Sequence, residues 1–241
     1  MADTVVITGA SRGIGLATAK LLAARNFTVI GIARSVADDF PGEFFVADLG
    51  DELETARVLE QIVQKHTVGC VINNVGLNII EPLGSVSLDN LRRVLDLNLR
   101  TMVQVTQAFL PAMVSRKYGR IVNLSSRGAL GREGRTSYGA AKAGVIGLTR
   151  TWALELAQHG ITANVVSPGP TATEMFIRNN FVGPKGEENK ARFLADIPMR
   201  RFGEPAEIAA AIAFFVSREA SFVTGQVLHV CGGSSIGIAA L

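Results

Sequence analysis

The sequence predicts a single doubly wound α/β domain, a parallel sheet of seven strands with helices on both faces. Three observations lead there. Short, almost wholly apolar β-branched runs recur along the chain, each run is paired with a longer segment of helical pattern, and no linker, low-complexity tract or internal repeat interrupts the alternation. The elements follow in order. "TVVIT" (4–8), "GLATAKLLAARN" (15–26) and "FTVIGIA" (27–33) read as strand, helix, strand. "EFFVA" (43–47) precedes the helical "DELETARVLEQIVQKH" (51–66), and "VGCVINN" (68–74) precedes one long helical region from about 88 to 116. "GRIVNLS" (119–125) leads into "SYGAAKAGVIGLTRTWALELAQHG" (137–160), and "ITANVVS" (161–167) is the sixth strand. "PAEIAAAIAFFVS" (205–217) and "GQVLHV" (225–230) supply the last helix and strand. Residues 170–203 mix apolar, charged and turn-forming residues without a clean period, so a lid is expected there on an otherwise continuous domain of residues 1–241.

Bulk properties narrow the function classes. With 48% hydrophobic and 19% charged residues the chain is slightly more apolar than a typical soluble domain, and part of that surface is expected to meet a subunit partner. A net charge of +3 without any run of like charges leaves no electrostatic footprint for nucleic acid. The opening "MADTVVITGASRGIG" lacks the pattern of a secretion signal. "IAAAIAFFV" (208–216) is far shorter than the roughly 20 residues that span a membrane. Cys70 and Cys231 both lie in apolar strand-like runs, as reduced core thiols of a cytoplasmic protein would. His66, His159 and His229 share no motif, and no Cys/His ligand cluster exists, so no metal is expected.

"TGASRGIG" (8–15) closes the first strand and opens the first helix, with Gly9, Gly13 and Gly15 at the turn. Glycines there let the backbone approach a pyrophosphate, whose charge the helix N-terminus stabilises, as in the Rossmann fold. The second strand ends in Ala33 and Arg34, where an NAD-binding chain would present an acid to the ribose 2′-OH. Arg34, with Arg12 in the glycine turn, suits a 2′-phosphate instead, which favours NADP(H) over NAD(H). Asp48 is expected at the adenine amino group, and "NNVG" (73–76) at the adenosine ribose.

Tyr138 and Lys142 stand at i and i+4 and share one helix face. A phenol is a weak catalyst at neutral pH unless a nearby ammonium and a nicotinamide charge draw its pKa down. Ala140, Ala141, Ala143 and Gly144 are expected to keep that face low enough for the nicotinamide ribose. Ser125, at the carboxyl edge of a neighbouring strand, is placed to hydrogen-bond a substrate oxygen that gains negative charge.

Over essentially its whole length the chain resembles the short-chain dehydrogenase/reductase family, with "TGASRGIG", "NNVG", "YGAAK" and "SPGPTAT" (167–173) in that family's order and spacing. The resemblance implies that Tyr138 is the general acid/base, that Lys142 orients the nicotinamide ribose and lowers the tyrosine pKa, and that Ser125 polarises the carbonyl. It also implies that Asn98 completes a tetrad by holding a proton-relaying water. Ser11, Ile14, Leu49, Asn74 and Gly76 join the cofactor contacts by the same likeness, as do Pro168, Gly169, Thr171 and Thr173 around the carboxamide. Val75 departs from the alanine usual in that turn. Within the family the chain is most similar to 3-oxoacyl-[acyl-carrier-protein] reductases and related bacterial carbonyl reductases. Arg116, Lys117 and Arg120 form a basic cluster of the kind that meets an acidic carrier protein, although His159 stands where such reductases often have arginine.

The expected activity is hydride transfer between NADP(H) and a carbonyl/secondary-alcohol pair, the substrate being a small ketone, free or carried as a thioester. Oxidative alcohol dehydrogenation and a non-catalytic dinucleotide sensor are the alternatives. Arg127, with Arg132 and Arg135 in the same loop, raises the expectation of an anionic substrate. Met175, Phe176, Ile177 and Phe181 of the lid are apolar candidates for substrate cover or, equally, for an oligomer contact. By resemblance the chain forms a homotetramer or homodimer, through the apolar faces of the helices at 98–116 and 138–158.

Overall fold

A computed structural model describes residues 3–236. Val5, Val6, Ile7 and Thr8 of strand β1 (Thr4–Thr8) are fully buried, so both faces of the strand need cover. Alternate residues supply it in two directions. Val5 and Ile7 pack with Ala19 and Leu22 of α1 (Gly13–Ala24) and with Ile208, Ile212 and Phe215 of α8 (Pro205–Val216). Val6 points the other way, into a second core with Val58 and Ile62 of α2 (Glu52–Lys65) and Val105, Phe109 and Met113 of α4 (Thr101–Arg116). Ala153 and Leu156 of α5 (Thr136–Leu156) close that second core. The period-2 split of adjacent apolar residues between two helix layers is why β1 carries no polar face.

The other strands are β2 (Thr28–Ala33), β3 (Glu43–Val46), β4 (Cys70–Asn73), β5 (Gly119–Leu124), β6 (Ile161–Pro168) and β7 (Val227–Val230). They form one parallel sheet in the order β3-β2-β1-β4-β5-β6-β7, with Ile7 of β1 in register with Gly31 of β2 and Ile72 of β4. The chain runs outward from β1 to β3, then returns to β4 on the other side of β1. That reversal opens a crevice at the carboxyl ends of β1 and β4, where ligands bind in sheets of this kind.

All seven expected strands form, and the differences lie in the helices and loops. The helical region expected from 88 to 116 is three pieces: α3 (Leu88–Leu95), a π-helical turn at Asp96–Arg100, and α4. Asn98 Nδ2 donates to Val94 O at 2.8 Å and to Leu77 O at 2.9 Å, and the Asp96 carboxylate holds Arg100 across the widened turn. Residues 170–203 are not without period but contain two short helices, α6 (Glu174–Asn180) and α7 (Gly186–Asp196). Phe176, Phe181 and Phe193 from these helices meet edge to face at centroid distances of 5.1 to 5.7 Å, and Phe202 stacks on the group.

Two surface expectations change. Cys70 is a buried thiol that desolvation pushes up to about 12, whereas Cys231 follows β7 and is only half-buried. Arg120 belongs to the interior: it is 4% exposed, donates to Gly119 O, and lies over the Tyr118 ring. It sits at the amino end of β5, opposite the crevice, so the cluster with Arg116 and Lys117 does not face the site. No helix among the described residues is long and apolar enough to cross a membrane.

Candidate active site

The crevice is a cleft of about 860 Å³ running along the carboxyl edge of the sheet. Its floor at one end is the turn from β1 into α1. Gly9 and Gly13 have φ of +66° and +55°, a region that disfavours side chains, and a Cβ at Gly15 would lie 2.3 Å from Gly9 O. Helix α2 is capped by the Asp51 carboxylate on Glu54 N; α1 has neither a capping side chain nor an acid in its first turn. Its leading N–H groups are therefore left to a ligand of negative charge, and the cradle fits a dinucleotide pyrophosphate. Asn74 stabilises the turn from below, donating through Nδ2 to Thr8 O and Gly9 O.

Ser11, Arg12, Ile14, Arg34, Asp48 and Leu49 line the cleft, and Gly76 lines it farther along, beside Lys142. Arg34 is exposed and, among the described residues, has no ion-pair partner, so it fits the 2′-phosphate. Arg12 differs from expectation: Nη1 is 3.0 Å from Glu174 Oε2 across the cleft, which ties the glycine turn to α6. Asp48 Oδ1 accepts from Gly50 N at 2.9 Å, which fixes the carboxylate at the rim.

At the other end the β5–α5 loop and α5 bring Ser125, Tyr138 and Lys142 to one wall. Lys142 is 3% exposed, and burial alone draws its ammonium down to about 8; Nζ donates to Leu124 O at 2.8 Å and lies 5.7 Å from the centre of the Tyr138 ring. The Ser125 hydroxyl donates to Lys142 O at 2.7 Å, which pins strand end to helix. Tyr138 is half-buried. Burial raises its pKa above the ordinary value, while the Ser126 hydroxyl and the Arg135 charge pull weakly the other way. Lys142 is not among the groups that shift it, and its ammonium is turned toward Leu124 O.

Asn98 lies behind this wall. Both Nδ2 hydrogens are spent on carbonyls, but its buried Oδ1 has no partner. A methyl at Gly76 would sit 2.9 Å from that oxygen and 3.4 Å from Lys142 Nζ, so the two atoms border one small space. An orphaned buried acceptor beside a buried ammonium fits a bridging water.

Pro168, Gly169 and Thr171 line the cleft, and Thr173 lines it against Gly13 of the glycine turn. The Thr173 hydroxyl also accepts from Phe176 N at 3.2 Å as the N-cap of α6. Of the expected site residues, only Gly15 and Asn98 stand outside the cleft surface, as supports. The small residues of α5 do not form its wall: Ala141 is buried in the core side, Gly144 packs toward Leu99, and Ala140 and Ala143 face outward. Within residues 170–203, Met175 and Phe176 reach the cleft, but Ile177 and Phe181 do not. Arg127 is held by its own chain, Nε donating to Ser234 O at 3.1 Å. Sequence reasoning missed Ser126 beside the tyrosine, Asn78 and Asn180 on Arg135, and Phe193 under Arg132. All four are loop or lid contacts for which local spacing carries no signal.

Comparison with known proteins agrees with this geometry. A family model described as Enoyl-(Acyl carrier protein) reductase matches residues 9–235. The 3-oxoacyl-[acyl-carrier-protein] reductase FabG of Thermotoga maritima is 38% identical over 241 residues, covering 95% of this chain and 96% of its own. Among solved structures, the aldohexose dehydrogenase of Thermoplasma acidophilum has a TM-score of 0.93 at 29% identity, covering 100% of this chain and 96% of its own. A variant of actinorhodin polyketide ketoreductase with NADPH has a TM-score of 0.90 at 29% identity, with 97% of each chain covered. With its glycine turn, its Ser125–Tyr138–Lys142 wall and a match over nearly its whole length, the chain belongs to the short-chain dehydrogenase/reductase family of oxidoreductases.

Proposed function

We propose that this protein reduces a small ketone to a secondary alcohol at the expense of NADPH, the ketone being a 3-oxoacyl thioester or a related carbonyl compound. The observation that carries the reading is the convergence of Ser125, Tyr138 and Lys142 on one wall of a cleft whose far end is the uncapped start of α1. Arg34 selects the 2′-phosphate, and the Arg12–Glu174 pair closes over the pyrophosphate end. The cofactor, when bound, supplies the hydride to the carbonyl carbon. Tyr138 donates the phenolic proton to the oxygen as charge develops there. Ser125 turns its hydroxyl from Lys142 O to the same oxygen. Lys142 returns a proton toward Tyr138, resupplied through a water on Asn98 Oδ1. Residues 170–203 act as the lid. The chain works in the cytoplasm as a homotetramer or homodimer through α4 and α5, where Leu154 is 84% exposed.

The test is NADPH- and NADH-dependent turnover on a panel of 3-oxoacyl thioesters, simple ketones and keto acids. NADPH should be preferred. Tyr138→Phe should lower kcat/KM by about 100- to 10,000-fold while leaving NADPH affinity within a few-fold. Tight NADPH binding without turnover on any carbonyl would favour a dinucleotide sensor instead.

A further inference from the structure

Four arginines reach the substrate end of the cleft: Arg127, Arg132 and Arg135 from the β5–α5 loop and Arg178 from α6. The three loop arginines are held differently. Arg135 is buried, and its guanidinium bridges two neutral amides, donating to Asn78 Oδ1 at 2.8 Å and Asn180 Oδ1 at 3.0 Å. Arg127 is anchored on Ser234 O. Arg132 lies with its guanidinium carbon 3.8 Å from the centre of the Phe193 ring and, among the described residues, has no hydrogen-bond or ion-pair partner. Stacking holds the plane of the guanidinium and leaves its edge, with the donor fork, open.

No free carboxylate balances this charge within the cleft. Of the acids that line it, Glu174 is paired with Arg12, Asp96 with Arg100, and Asp48 stands at the adenosine end. Asp196 acts on Arg132 from outside the lining. Burial, then Arg135 and Arg127, pull the Arg132 guanidinium down to about 10 against that help, and Arg192 adds further repulsion. A half-buried cation among cations, with an open planar fork and the catalytic tyrosine in the same cleft, is a site built for a planar anion.

We propose that Arg132 is a specificity-determining residue that binds a carboxylate on the ketone substrate, so that small keto acids are reduced in preference to their neutral counterparts. Phe193 positions the guanidinium, and Arg135 fixes the loop that carries it. The inference rests on the carbonyl-reductase reading of the same cleft. It differs from the expectation attached to Arg127, whose Nε is committed to the chain end.

The experiment compares acetoacetate and levulinate with their methyl esters as substrates of the wild type, Arg132→Ala and Arg132→Gln, the second variant serving if the first does not fold. The wild type should prefer at least one acid over its ester by 10-fold or more in kcat/KM. Both variants should lose about 10- to 100-fold on that acid, chiefly through KM, and stay within 3-fold on the ester. Equal loss on acid and ester would make Arg132 a lid clamp and overturn the proposal, as would a wild type that prefers the esters. If no carbonyl is turned over, the reductase reading fails by itself. Levulinate titrated calorimetrically into the NADP⁺-loaded protein then decides the anion site: saturable binding lost in Arg132→Gln upholds it, and absence of binding overturns it.

Discussion

Lys142 shows what a buried charge costs the fold. Its ammonium lies 3% exposed with a single backbone carbonyl as partner, and burial draws its pKa from 10.5 to about 8. Below pH 8 both folded and unfolded chains carry the proton, and the fold bears the full penalty of a buried charge, roughly 3 kcal/mol. Between pH 8 and 10.5 the unfolded chain holds the proton and the folded one does not, so this contribution to stability rises with pH. Lys142→Met removes the titration. Thermal melting of both proteins at pH 7 and pH 10 should show the difference in Tm moving in favour of the wild type by roughly 5 °C or more at the higher pH. A constant difference would mean that the lysine is solvated in the fold. The i, i+4 spacing of "YGAAK" reveals the shared helix face, but not that Nζ turns to Leu124 O, because the partner comes from a strand 18 residues earlier. The Tyr138 pKa itself is raised, because burial of the phenol outweighs the Ser126 hydroxyl and the Arg135 charge.

Among the elements, strands are the most legible, because a strand buried on both faces, such as β1 or β6, leaves a short apolar run rich in β-branched residues. β1 is Thr4–Thr8 as expected, and β6 extends by only one residue past the expected end. The π turn at Asp96–Arg100 was not legible, since its cause is tertiary: Asn98 reaches out of the helix to Leu77 O in the turn beyond β4. Extra-residue turns of this kind rearrange a helix locally and occur at functional sites. Here the turn sets Asn98 Oδ1 beside Gly76 and Lys142. Asn98→Ala removes two donors and strands two carbonyls in a buried position. Urea unfolding should show a loss of about 2 kcal/mol with an unchanged m-value. Turnover should fall at least 10-fold at temperatures where the variant is fully folded. Loss of stability with kcat intact would confine Asn98 to a structural role. Residues 170–203 show no clear period in the sequence because α6 and α7 have only seven and 11 residues, too few turns for one to stand out, and their apolar residues face one another rather than the sheet.

At the scale of the molecule, the sheet order separates Arg34 from Arg132. Arg34 follows β2 and Arg132 follows β5, and β1 and β4 lie between those strands. Three strand spacings amount to about 14 Å, beyond the range at which substitutions usually couple. The motifs of each end were readable in the sequence separately. That they share one cleft follows from the return of the chain to β4, a long-range pairing that residue spacing does not encode. Which arginine stays free depended on Ser234, Asn78 and Asn180, contributed by remote segments. If the two ends act independently, Arg34→Ala should lower kcat/KM for NADPH about 10-fold or more and leave NADH unaffected. Arg132→Ala should leave the cofactor preference unchanged while weakening keto acids. In the double variant the two factors should multiply to within about twofold, corresponding to the few tenths of a kcal/mol expected for distant sites. A measured product far from that value would reveal coupling through the lid. The physical route for it is on hand, because Glu174 of α6 holds Arg12 at the cofactor end while Phe176 of the same helix packs on Phe193 beneath Arg132.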